Sequence, residues 1–161
     1  MMMNYIYLRC VLHFFIVHEI ISKNMTFDRI SDKIYSNDTT IIKDQNGNIY
    51  NIENKFILDV KNEIISTENI SIVDENNNIY HFENAKVNLK TNEILGKEIK
   101  VDFEDGYFGN LNNDPILKGR SALSNQSETK IHKTVFSTCN TENKLCPGWS
   151  IETEEFTHDK I

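Results

Sequence analysis

The middle of the chain repeats itself. The run Asp44-Gln45-Asn46-Gly47-Asn48-Ile49-Tyr50-Asn51-Ile52-Glu53-Asn54 returns 30 positions on as Asp74-Glu75-Asn76-Asn77-Asn78-Ile79-Tyr80-His81-Phe82-Glu83-Asn84. The same offset aligns Asn62-Glu63-Ile64 with Asn92-Glu93-Ile94 and then slips by one, so that Ile70-Ser71-Ile72 matches Ile99-Lys100-Val101. A fainter copy begins at Ile34-Tyr35. Repeats of this length are stacked supersecondary units, none of which buries its own apolar face alone.

Each unit reads as short strands. Tyr50 and Ile52 alternate with Asn51 and Glu53, and Tyr80 and Phe82 with His81 and Glu83. Phe56, Leu58 and Val60 alternate with Ile57 and Asp59, while Val87 and Leu89, and Ile99, Val101 and Phe103, alternate with polar partners. A period of two gives a strand with one apolar face. Asn46-Gly47 is a two-residue hairpin signal, because both types accept positive φ. Asn76-Asn77 stands at the same place, and Lys61-Asn62 and Thr91-Asn92 mark the other turns. The expected fold is all-β: repetitive antiparallel strands forming a V-shaped β-jellyroll with an apolar inside and open edge strands. Tyr50, Ile52, Ile70, Ile72, Tyr80, Phe82, Ile99 and Val101 are the candidate lining. Tyr50, Ile52, Tyr80 and Phe82 are expected to form one continuous stripe. A closed sandwich core is the plainer alternative for the same residues.

Three segments follow from this pattern: an apolar N-terminal stretch over 1–24, a β-repeat domain over 25–136, and a Cys- and Trp-bearing segment over 137–161. The first holds Cys10 to His18, shorter than a bilayer span and interrupted by histidines. It reads as a degenerate export signal or an extension.

Chemistry is hard to find. The chain has no P-loop, no G-x-S-x-G, no H-E-x-x-H and no G-x-G-x-x-G. No histidine sits in a nucleophile constellation by spacing, and no carboxylate pair marks a glycosidase floor. The chain is therefore expected not to be an enzyme and to need no cofactor. Asp44, Asn46 and Asn48 imitate a calcium loop, but Ile49 and Lys55 stand where that loop needs Gly and Glu. The formal net charge is −7, with 17 Lys and Arg scattered along the sequence. Phosphate-backbone binding needs clustered cations, so nucleic acid is excluded as a partner. Cys139 and Cys146 lie close together, and their residues leave open a cystine, half of a zinc site, free thiols or pairing elsewhere.

The final third carries a resemblance. Leu117 to Ala122 and Glu128 to Lys133 precede Val135-Phe136-Ser137-Thr138-Cys139, a polar loop to Cys146-Pro147, then Gly148-Trp149 and a strand ending in His158-Asp159. With the repeats, residues 28–161 resemble the N-terminal region of the LPS-assembly protein LptD (OstA-like) family. That resemblance implies a periplasmic groove at the cell outer membrane that binds lipopolysaccharide acyl chains. It implies a bridge protein of the same fold joined by edge-strand pairing, and a barrel plugged by an outer-membrane lipoprotein. It also implies a disulfide from Cys139 to the barrel, from which the second cysteine, Cys146, departs. The family's barrel would begin after Ile161, so a fragment or split gene is expected. The rival reading is a β-solenoid surface or adhesion module without lipid transport.

Overall fold

Alternating apolar residues can stay on one side of a strand only while the strand runs straight. In the computed structural model each long strand of this chain bends once, and the inward-facing positions shift by one there. The structure describes residues 6–8, 17–74, 76–104, 106, 109, 115–137 and 150–159. These form thirteen strands and no helix. They are β1 (Ile6–Leu8), β2 (Val17–Ser22), β3 (Thr26–Asp28), β4 (Lys33–Ser36), β5 (Thr40–Asp44), β6 (Ile49–Ile52) and β7 (Phe56–Asp59). The longer ones follow: β8 (Ile64–Val73), β9 (Ile79–Asn88), β10 (Glu93–Asp102), β11 (Ile116–Ser124), β12 (Glu128–Ser137) and β13 (Ile151–Asp159).

All pairings are antiparallel among the described residues, as expected for hairpin-linked repeats. A β-solenoid stacks its coils as parallel strands, so that form of the rival reading is not this fold.

The bend is visible in the register. Glu68 pairs with Asn84 and Ile70 with Phe82, passing over Asn69 and Glu83. Lys97 pairs with Ser121 and Ile99 with Gly119, passing over Glu98 and Arg120. Asn69, Glu98 and Lys133 take positive φ at these corners. On either side, inward positions change parity: Ile65 and Thr67 give way to Ile70 and Ile72, and Phe82 to Ala85 and Val87. In the early repeats the bend breaks the strand outright. Glu53, Asn54 and Lys55 are exposed between β6 and β7, and β8 pairs with both, through Ile70–Val73 and Ile64–Thr67 respectively.

The sheet thus folds over along a line of corners into two facing layers. The first holds β2, β5, β6 and one half of each later strand; the second holds β3, β4, β7 and the other halves. One apolar cluster fills the space between them. Gly96, Gly119 and Ala122 face this interior near the corners, where the layers converge and bulky side chains would collide. The expected turns are present, with positive φ at Gly47, Glu63, Asn77 and Asn92. The sheet also reaches past both expected segment boundaries. β2 pairs with β5 ahead of position 25, with Ile20 and Ser22 buried, and β13 pairs with β12 beyond 136.

Candidate functional site

The two layers diverge away from the corners and leave a cavity of about 400 Å³ between them. Its floor is apolar: Tyr50, Ile72, Tyr80, Phe82 and Ile99 from the first layer, Val87, Ile94 and Ala122 from the second. Its rims are polar hairpin ends, with Asn46, Asn48 and Asp74 on one side and Asn92, Asn125 and Gln126 on the other.

The eight candidate lining residues come together as two adjacent rows across β6, β8, β9 and β10. Ile52, Ile70, Phe82 and Ile99 form the row next to the corners; Tyr50, Ile72, Tyr80 and Val101 form the row beyond. The expected stripe of Tyr50, Ile52, Tyr80 and Phe82 is corrected in one respect. β8 lies between β6 and β9, so the stripe is continuous only through Ile70 and Ile72. Every one of the eight except Tyr80 is at most 4% exposed. Ile52, Ile70 and Val101 are packed core, while the other five also border the cavity. The second-layer wall was not singled out by sequence reasoning. The alternation of Val87 with polar neighbours was a usable signal, but Ala122, Ser124 and Thr129 carry none.

The rim is built by a clasp that the repeat copies. Asp44 Oδ1 accepts from the backbone N–H of Asn46 and of Asn48, each at 2.9 Å. Its Oδ2 accepts from Asn48 Nδ2 at 2.8 Å and from the Tyr50 hydroxyl at 2.8 Å. Asp74 does the same with Asn76, Asn78 and Tyr80. The shared geometry explains the Asp-x-Asn-x-Asn-x-Tyr spacing: one carboxylate, buried at Asp44 and half-buried at Asp74, satisfies the turn and fixes the tyrosine ring in the cavity wall. Burial, and the carboxylate beside it, push the Tyr50 hydroxyl well above the usual tyrosine range. Both oxygens of each aspartate are engaged by N–H and O–H donors, which is turn chemistry rather than cation coordination. No group of three His, Cys, Asp or Glu among the described residues could hold a metal. Cys139, Cys146 and Trp149 lie outside the described residues.

The outer face of the first layer holds an arrangement that spacing did not show. Ser71 Oγ stands 2.8 Å from His81 Nδ1, and His81 Nε2 stands 3.1 Å from Asp102 Oδ2. Lys100 Nζ is 2.9 Å from the other Asp102 oxygen. The order is that of a serine–histidine–aspartate relay. Its members point away from the cavity, and the histidine side chain is 41% exposed. Acyl transfer needs a concave seat and aimed oxyanion donors, which an outward row of a sheet does not provide. The contacts act as cross-strand pairs tying β8, β9 and β10. Register also gathers cations scattered in sequence: Lys100, Lys118, Arg120 and Lys133 surround one shallow depression, with Glu98 among them.

No family model matches the chain, and no curated protein matches it in sequence. Fold and site together define a class: a folded-over antiparallel sheet whose apolar interior opens between two polar rims.

Proposed function

We propose that this chain is the periplasmic groove of a lipopolysaccharide-assembly protein of the LptD (OstA-like) family. It takes up acyl chains of lipopolysaccharide and hands them toward an outer-membrane barrel. The observation that carries this reading is the cavity: an apolar floor reached through polar rims suits a lipid whose chains must leave water while its sugar head stays in it. Binding and transfer require no bond-making, and the carrier acts without catalysis.

The sheet's ends support the same reading. Among the described residues β13 is paired on one side only, by β12, and β1 and β3 end the two layers at the opposite side. Open edges accept strands from partners, which lets a bridge protein of like fold continue the sheet on one side and a barrel-bearing segment follow on the other. A lipoprotein plug would then belong to the barrel, and the chain's place is the periplasmic face of the outer membrane. In exported material Cys139 is expected to be oxidised, and mass spectrometry without reductant reads this directly. Both thiols found free there would count against export.

The deciding experiment places photo-crosslinking residues in the protein in cells. Tyr80 and Ile94, in the cavity walls, should capture lipopolysaccharide; His81, on the outer face of the same layer as Tyr80, should not. Equal capture at all three positions, or none at the two cavity positions, would overturn the proposal.

A further inference from the structure

We infer that the outer face of the second layer carries a separate binding site for a small amphipathic anion, a molecule with an apolar body and a negatively charged head. The outward row of this layer runs Ile57, Ser66, Lys86, Leu95, Leu123. A sheet packed on one face normally shows polar side chains on the other. Here Leu95 is 55% exposed, Leu123 is 39% exposed, and the two are direct cross-strand partners. With Ile57 they border a depression of about 730 Å³, a size within the usual range of small-molecule sites.

The depression is also cationic in a chain whose net charge is −7. Lys55, Lys86 and Lys97 line it, and none of the three forms an ion pair among the described residues. Glu68 is the one carboxylate in the lining. Long lysine stems can lie along the leucines while the ammonium groups turn to a bound head group. The adjacent leucine pair, with Ile57 set apart across Ser66 and Lys86, is too small for the core of a protein interface but matches a short alkyl body. The site lies on the opposite side of the layer from the cavity and does not depend on it.

The test uses the whole chain with labelled Ile and Leu methyl groups, followed by NMR. Dodecyl phosphate and dodecanoate, kept below their micelle concentrations, should each shift the Leu95 and Leu123 methyls saturably. Raising ionic strength should weaken the effect, because exposed charges are screened. Dodecyltrimethylammonium, with the same tail and the opposite charge, should leave those methyls unmoved. The double variant Lys86→Glu, Lys97→Glu should weaken binding by about tenfold or more, since two exposed attractions become repulsions. Both substitutions lie at exposed positions, so the fold is retained and the methyl spectrum of the unliganded variant verifies it. No saturable shift at Leu95 and Leu123, equal binding of the cationic amphiphile, or an unchanged affinity in the double variant would overturn the inference. Shifts confined to Ile72 and Ile94 would also overturn it, while leaving the groove reading intact.

Discussion

The ring of Phe82 occupies the space where a side chain at Gly96 would begin. A Cβ at position 96 would stand 2.1 Å from Cδ1 and 2.4 Å from Cε1 of that ring. Phe82 belongs to the first layer and Gly96 to the second, so this contact holds the layers together beside the corners. Gly96→Ala should therefore destabilise the protein by about 1–3 kcal/mol through overpacking. Phe82→Leu in the same chain should recover part of that loss, and urea unfolding of both single variants and the double gives the coupling. Additive effects would mean that the ring has room to move away.

The same contact makes Phe82 a packed residue as well as one that borders the cavity. The ring is 4% exposed and packed, so Phe82→Ser should cost about 3–5 kcal/mol, the large-to-small range for a buried aromatic. A loss of that size approaches the whole stability of a small domain. A variant that stayed folded with a normal urea midpoint would show that the layers part at this position.

Much of this architecture was legible from residues 44 to 103. Alternation gave the strands, Asn-Gly and its counterparts gave the turns, and the paired Tyr and Ile or Phe positions proved to share two rows. The fold-over was written less openly. Its mark is the one-residue slip in the repeat: Ile65 and Leu95 align at an offset of 30, yet Ile65 is buried and Leu95 is exposed. Ile94, not Leu95, takes the place opposite Val87 that Ile65 takes from the other side. A slip of one position reverses every side chain until the next corner, and alternation alone does not say which phase faces inward. Ser71, His81 and Asp102 were illegible for a different reason. Cross-strand neighbours are set by register, and register depends on where the corners fall.

The corners make a prediction of their own. Glu98 sits there with φ of 49°, a conformation that costs L-residues about 1–2 kcal/mol and excludes β-branched side chains. Glu98 already bears that cost, so Glu98→Val should lower stability further, by about 1 kcal/mol, through branching at Cβ, whereas Glu98→Gly should be close to neutral, its relief of strain offset by the freedom it adds to the unfolded chain. Thermal melts of the two variants separate these outcomes. Equal destabilisation by both would mean that the carboxylate, not the backbone, matters at this corner.

Tyr50 predicts a response to alkali. Its hydroxyl is held protonated above the usual range, so the folded chain keeps the proton after the unfolded chain has lost it. Stability from this group is complete below the unfolded value of about pH 10 and drains as pH rises past it. Between about pH 9 and about pH 11 the loss should reach roughly 1.4 kcal/mol. Tyr50→Phe should start about 1 kcal/mol lower, having lost the bond to Asp44, and should lack this decline over the same interval. Parallel pH profiles for the two proteins would mean that the hydroxyl titrates as freely in the folded state as in the unfolded one.

The last prediction separates occupancy of the cavity from integrity of the fold. Ile94 borders the cavity from the second layer and is only partly buried, so a larger side chain there has free volume to enter. Ile94→Trp should leave the urea midpoint nearly unchanged while its ring fills space that acyl methylenes would use. Excluding two or three methylenes removes about 2 kcal/mol of binding, roughly thirtyfold in affinity, at the transfer free energy of each group. Capture of lipopolysaccharide by a crosslinker at Tyr80 should fall accordingly, since Tyr80 lines the same cavity from the facing layer. Ser71→Ala on the outer face serves as the control, because it removes a polar contact and leaves the cavity untouched. If Ile94→Trp stays folded and capture at Tyr80 is undiminished, the lipid is held somewhere other than between the layers.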